Sequence, residues 1–174
     1  MTLDELNRLT THEAWEVFQR CCGASVWAEH MCAERPYRDR AALAAAAERA
    51  AAALGRFDWL EAFDHHPRIG DLAALRERFA ATARWAGDEQ AGAASASDAT
   101  LEALARANRE YEEKFGHIFI VCATGKSAGE MLDALRDRMP NDPETELKAA
   151  AAEQMKITRL RLDKLLGEST QPAR

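Results

Sequence analysis

Apolar residues along this chain recur mostly at spacings of three and four, the period of a helix that turns one side to a core. Thr2 followed by Glu5, and Thr10 followed by Glu13, are capping-box pairs that predict helices near residues 3–9 and 12–22. The second carries Trp15, Val17, Phe18 and Cys21 on one side and is closed by Gly23. Ser25 can cap a third helix running to about Ala33, with Val26, Trp27 and Met31 as core candidates, ended by Arg35-Pro36. Asp39 opens an alanine-rich helix, 41–54, whose small side chains allow close helix packing, and Gly55 closes it. A fifth helix, 56–64, carries Phe57, Trp59, Leu60 and Phe63.

Beyond Asp71, the residues Leu72, Leu75, Phe79 and Ala83 mark a helix that reaches Trp85, and the pattern then breaks over 86–92. A long helix is expected over 98–115, with Leu101, Leu104, Ala105, Asn108 and Tyr111 along it and Gly116 as its stop. Residues 118–123 are the one β-rich run. A lone strand has no sheet to join, so a buried extended segment or short irregular helix is expected there. Ser127 with Glu130 caps a helix to Met139, and Asp142-Pro143 opens the last one. In that helix Leu147, Ala151, Met155, Thr158, Leu162 and Leu165 form an inward stripe, and Gly167 ends it. The sum is an all-α protein, a single compact domain of about eight or nine helices over 1–167. A polar tail, 168–174, is expected to be disordered.

Composition narrows the function classes. The chain has 174 residues, 47% hydrophobic and 30% charged, enough to bury a sizeable core. A net charge of −6 without a Lys/Arg cluster argues against nucleic acid. No apolar run nears the roughly 20 residues that span a bilayer, and the acidic start Met1-Thr2-Leu3-Asp4-Glu5 lacks a signal-peptide core. A cytoplasmic protein with no membrane partner is expected. Cys21, Cys22, Cys32 and Cys122 form no CxxC pair, so free thiols are expected rather than a zinc site or disulfide framework.

Candidate chemistry concentrates in Asp64-His65-His66-Pro67-Arg68-Ile69-Gly70-Asp71, between two helical patterns. Pro67 lacks an N–H and pushes His66 out of the helical region, so the fifth helix ends near His65. Such a bend can hold the His66 imidazole near its useful titration range for general acid–base work. An orienting carboxylate and an anion-binding arginine would have to come from elsewhere: Glu89, at a break in the helical pattern, and Arg161, beside the last stripe, are candidates. Thr124-Gly125-Lys126-Ser127 imitates a phosphate loop, but the full pattern needs glycine where Ile120 stands. No His/carboxylate set has metal-ligand spacing, so no metal is expected.

Four motifs occur in the order and spacing of one family: His66-Pro67-Arg68-Ile69-Gly70-Asp71, Glu89-Gln90-Ala91-Gly92, Phe119-Ile120-Val121-Cys122-Ala123, and Lys156-Ile157 with Arg161-Leu162. The chain resembles the 2-oxo-4-hydroxy-4-carboxy-5-ureidoimidazoline (OHCU) decarboxylases of urate degradation, from about Leu3 to Leu166. The resemblance implies an all-helical enzyme, often a homodimer, that turns OHCU into (S)-allantoin without a cofactor. It makes His66, Glu89 and Arg161 the catalytic set. His66 matches the family's catalytic acid and Pro67 the neighbouring substrate contact. Glu89 and Gln90 match a polar pair facing the substrate. Phe119, Ile120, Val121, Cys122 and Ala123 match a segment whose backbone groups bind it, and Arg161 matches an arginine approaching from the last helix. Many relatives have serine where this chain has Ala86, so a hydroxyl contact there is missing or supplied by water.

Two other readings compete. A helical interaction module would use the 65–71 bend as a partner-binding loop and would need no pocket joining His66, Glu89 and Arg161. An enzyme acting on another small anionic ureide would have that pocket and a different substrate.

Overall fold

The computed structural model describes residues 1–66, 68, 75 and 97–167. Among them are eight α-helices and no strand. In chain order these are α1 (Leu3–Arg8), α2 (Thr11–Cys22), α3 (Ser25–Ala33), α4 (Arg40–Ala52), α5 (Arg56–Asp64), α6 (Asp98–Phe115), α7 (Ala128–Arg138) and α8 (Pro143–Leu165). The expected helix over 72–85 lies outside the described residues except for Leu75, which is helical and fully buried. The tail 168–174 also lies outside them. None of the described helices is long and apolar enough to cross a membrane.

Local signals set most helix ends. The capping boxes at Thr2/Glu5, Thr10/Glu13 and Ser127/Glu130 all close, each hydroxyl accepting the N–H of the third residue while the glutamate accepts the N–H of the cap. Gly23 and Gly116 end α2 and α6 in the left-handed region, at φ 95° and 73°. Ser25 departs from expectation. Its hydroxyl does not cap α3; instead Glu61 of α5 accepts the Ser25 N–H at 3.0 Å and its O–H at 2.5 Å. A carboxylate from another helix thus occupies the site of positive potential at the α3 N-terminus.

The chain divides into two compact units, Met1–His65 with Ala151–Arg174, and His66–Ala150. In the first, Phe18 meets Trp27 and Tyr37 edge to face, with ring centroids 6.1 and 6.4 Å apart. The alanines of α4 let the Trp27 indole reach the chain itself, donating to the Ala47 carbonyl at 3.1 Å. Each fully buried side chain of the size of Phe18 or Met31 stabilises by roughly 1.5–3 kcal/mol. Phe57 does not join this core: it is 84% exposed, on the solvent side of α5 opposite Trp59 and Phe63. Cys21 and Cys22 are buried, Cys32 and Cys122 are half-buried, and none of the four forms a disulfide.

The core of the second unit gathers Leu75, Leu101, Leu104, Tyr111, Phe115, Phe119, Met131 and Leu135. The buried line of α8 runs through Glu146, Ala150, Gln154, Thr158, Leu162 and Leu166, with Met155 beside it. This line is rotated from the expected stripe, because Leu147, Ala151 and Leu165 are only half-buried. Three polar residues, Glu146, Gln154 and Thr158, sit on it because each finds a partner, Thr158 accepting from Gln154 Nε2 at 3.3 Å. Gln154 donates to the Cys22 carbonyl at 3.0 Å, and Glu146 is held by three side chains described below.

Candidate active site

His66 follows the residue that caps the end of α5. His65 closes that helix at φ −78°, ψ −1°, and its Nδ1 lies 3.0 Å from the Glu61 carbonyl oxygen. The adjacent imidazoles therefore have different surroundings: His65 is exposed and tied to its own helix, whereas His66 lies half-buried in the bend. The end of α5 is held closely. A Cβ on Gly23 would come within 3.0 Å of the His65 Cβ and 3.1 Å of the Ala62 carbonyl oxygen, so backbone meets helix there with no room to spare.

Arg161, in the first unit, is half-buried on α8. Its Nη1 donates to the Arg20 and Cys21 carbonyls at 3.3 and 3.2 Å. These oxygens belong to the last turn of α2, where carbonyls lack partners within the helix and negative potential accumulates. Among the described residues no acceptor takes Nε or Nη2. Below it, burial pushes the Cys21 thiol from its ordinary 9.0 up to about 11, although the Arg161 charge pulls the other way.

The segment 119–123, in the second unit, has no regular secondary structure, in keeping with a lone β-rich run. Phe119 and Ile120 are buried; Val121, Cys122 and Ala123 are half-buried. An ion pair that local sequence patterns did not indicate fixes it. Arg138, in the last turn of α7, donates from Nη1 to the Ile120 carbonyl at 2.7 Å and stacks its guanidinium 4.7 Å from the Phe119 ring centre. Its Nε donates to Glu146 at 2.8 Å, and Nη2 bonds the same carboxylate. Glu146 is fully buried and also accepts from the Tyr111 hydroxyl and from Asn141 Nδ2, the latter at 2.8 Å. Burial and the bond to Glu146 raise the Tyr111 phenol far above its ordinary range. The available signal was an acid on the inward line of α8, which requires a cation nearby.

Pro67, Ala86, Glu89 and Gln90 lie outside the described residues. Among the described residues no group of three or more His, Cys, Asp or Glu side chains is arranged to hold a metal ion. A cavity of about 140 Å³ in the first unit is lined by Arg40, Leu43, Ala44, Arg159, Leu162, Asp163 and Leu166, and none of the candidate residues borders it.

The family model for OHCU decarboxylase matches residues 7–163. The chain belongs to the OHCU decarboxylase family. It is 30% identical to a 2-oxo-4-hydroxy-4-carboxy-5-ureidoimidazoline decarboxylase of Amia calva, over 95% of each chain. Over 90% of its length it is 38% identical to the uric acid degradation bifunctional protein TTL of Arabidopsis thaliana, of which it spans 47%. Among solved structures it resembles an OHCU decarboxylase crystallised in the presence of (S)-allantoin, with a TM-score of 0.69 and 38% identity, covering 86% of this chain and 96% of that one. The family match takes in His66, Glu89, Arg161 and the 119–123 segment. The all-helical architecture agrees with that of the OHCU decarboxylase structure.

Proposed function

We propose that this chain decarboxylates OHCU to (S)-allantoin in urate degradation, on the strength of a family match that runs through 7–163 and so includes every candidate motif. Breaking the bond to the carboxylate releases CO₂ and leaves an electron pair on carbon, which needs a sink. In OHCU that carbon adjoins a ring imine conjugated with a carbonyl, so the substrate takes up the pair itself and no cofactor or metal is called for. What remains for the protein is to orient the scissile bond, donate hydrogen bonds to the developing anion and deliver one proton to one face.

His66 serves as the proton donor, and Glu89 binds donor groups of the substrate and orients it. Arg161 keeps Nη1 on the α2 carbonyls and offers its other donors to a substrate oxygen or carboxylate. Backbone N–H groups of 119–123 meet the developing anion, with Pro67 and Gln90 as further contacts; at Ala86 the hydroxyl contact is missing or supplied by water. A proton-transfer residue of this kind contributes roughly 100- to 10,000-fold. The enzyme acts in the cytoplasm on a small molecule alone, and a homodimer is the assembly that the family resemblance allows.

The test is to add the purified protein to freshly generated OHCU, with and without exhaustive chelation, and follow circular dichroism. The (S)-allantoin signal should grow well ahead of the spontaneous reaction, unaffected by chelator. Racemic product at the spontaneous rate would contradict the assignment, and loss with chelator that a divalent ion reverses would contradict the metal-free mechanism.

A further inference from the structure

The ion pair of Arg138 and Glu146 is more elaborate than the stability of a helix end requires. Breaking such a pair is costly, yet replacing both charges with apolar groups is often neutral or stabilising, so its presence asks for another reason. The Arg138 guanidinium uses three nitrogens on three groups: Nε on Glu146, Nη2 on Glu146 and the Tyr111 oxygen, and Nη1 on the Ile120 carbonyl. The carboxylate is in turn held by Tyr111 and Asn141, so the fork has one orientation.

The backbone of 118–123 joins no strand ladder, so nothing in regular secondary structure fixes the rotation of its peptide planes. Arg138 fixes one of them. The bond between Ile120 and Val121 is trans, and in a planar trans peptide the C=O and N–H point in opposite directions. Holding the Ile120 oxygen on the guanidinium therefore aims the Val121 N–H away from it. Val121 is half-buried, and among the described residues no acceptor takes that N–H.

We propose that Arg138 is a positioning residue for the decarboxylation, which locks the 120–121 peptide so that the Val121 N–H is held ready for the anion that develops on the substrate. The proposal rests on the reading of 119–123 as a substrate-binding segment. A donor fixed before the reaction needs no reorganisation when charge appears, so its effect falls on the rate rather than on ground-state binding.

Two variants test it with OHCU as substrate. Arg138→Lys keeps a cation beside Glu146 but has no fork to serve both Glu146 and Ile120. Arg138→Met/Glu146→Leu removes the pair without stranding a charge. In both, kcat should fall tenfold or more while KM changes less than threefold and the melting temperature of the double variant stays within a few degrees of wild type. In the wild-type protein, (S)-allantoin should slow hydrogen exchange at the Val121 amide. A folded double variant with unchanged kcat, a loss confined to KM, or a Val121 amide indifferent to (S)-allantoin would each overturn the proposal. Failure of the wild type to turn over OHCU would instead remove the assigned activity itself.

Discussion

Arg161 bonds the α2 carbonyls through Nη1, and among the described residues no acceptor takes its other nitrogens. Lysine can still reach an α2 carbonyl, but it lacks the planar fork that the proposed contact with two substrate oxygens would use. Arg161→Lys should therefore lower kcat/KM by roughly ten- to a hundred-fold, the worth of a charge-assisted hydrogen bond, with little change in melting temperature. Arg159→Lys is the control, since Arg159 forms an exposed pair with Glu48 at 2.7 Å, an arrangement worth at most about 1 kcal/mol. Full activity in Arg161→Lys, or its unfolding, would assign Arg161 to structure alone. Cys21, beneath Arg161, makes a separate prediction. Burial disfavours the thiolate, so the folded protein keeps its proton up to about pH 11 while the unfolded chain releases it near 9.0. Stability from this group is thus complete below about pH 9 and falls as pH rises, by about 1.4 kcal/mol per unit until the folded group titrates. The buried Cys22 and Tyr37, both raised by burial, act in the same direction. Urea unfolding between pH 8 and 10.5 should show the decline, and Cys21→Ala should make it shallower; an identical slope in the variant would remove Cys21 from the account.

Among the helices, what could be read from sequence was what depends on neighbours within four residues. Thr10 with Glu13 and Ser127 with Glu130 announce helix starts because both partners lie in one turn, and Gly23 and Gly116 announce ends because each residue carries its own conformational signal. What could not be read depends on residues far apart. Glu61 reaches Ser25 across 36 positions, Gln154 reaches Cys22 across 132, and Glu146 collects Tyr111 from 35 positions away. A polar residue with a distant partner looks like a surface residue, so spacing of the apolar residues alone places Leu147 and Ala151 on the inward line of α8, where Glu146, Ala150 and Gln154 stand. The two end-capping glycines separate backbone strain from packing. A residue other than glycine in the left-handed region costs roughly 1–2 kcal/mol. Gly116→Ala should lose about that much, since nothing lies within 4 Å of an added Cβ. Gly23→Ala should lose clearly more in the same denaturation experiment, because the Ala62 backbone and the His65 side chain must shift. Equal losses would mean that α5 yields at that contact.

For the molecule as a whole, the specific part of the sequence was the set of polar motifs at breaks between helical patterns, and the match to the OHCU decarboxylase family runs through all of them. The all-helical class was legible because no second β-rich run accompanies 118–123. Of the candidate site, the bend at His66 was legible because Pro67 acts on the residue before it, whereas the support given to 119–123 by Arg138 was not. The central claim is that His66, and not its neighbour, carries the proton in a stereospecific decarboxylation. Its most direct test is (S)-allantoin formation from fresh OHCU by His66→Asn and His65→Ala, followed side by side by circular dichroism. His66→Asn should fall to the spontaneous rate with racemic product, while His65→Ala, which loses one exposed bond to the Glu61 carbonyl, should keep most of the activity. Equal losses in the two variants, or a greater loss in His65→Ala, would contradict it.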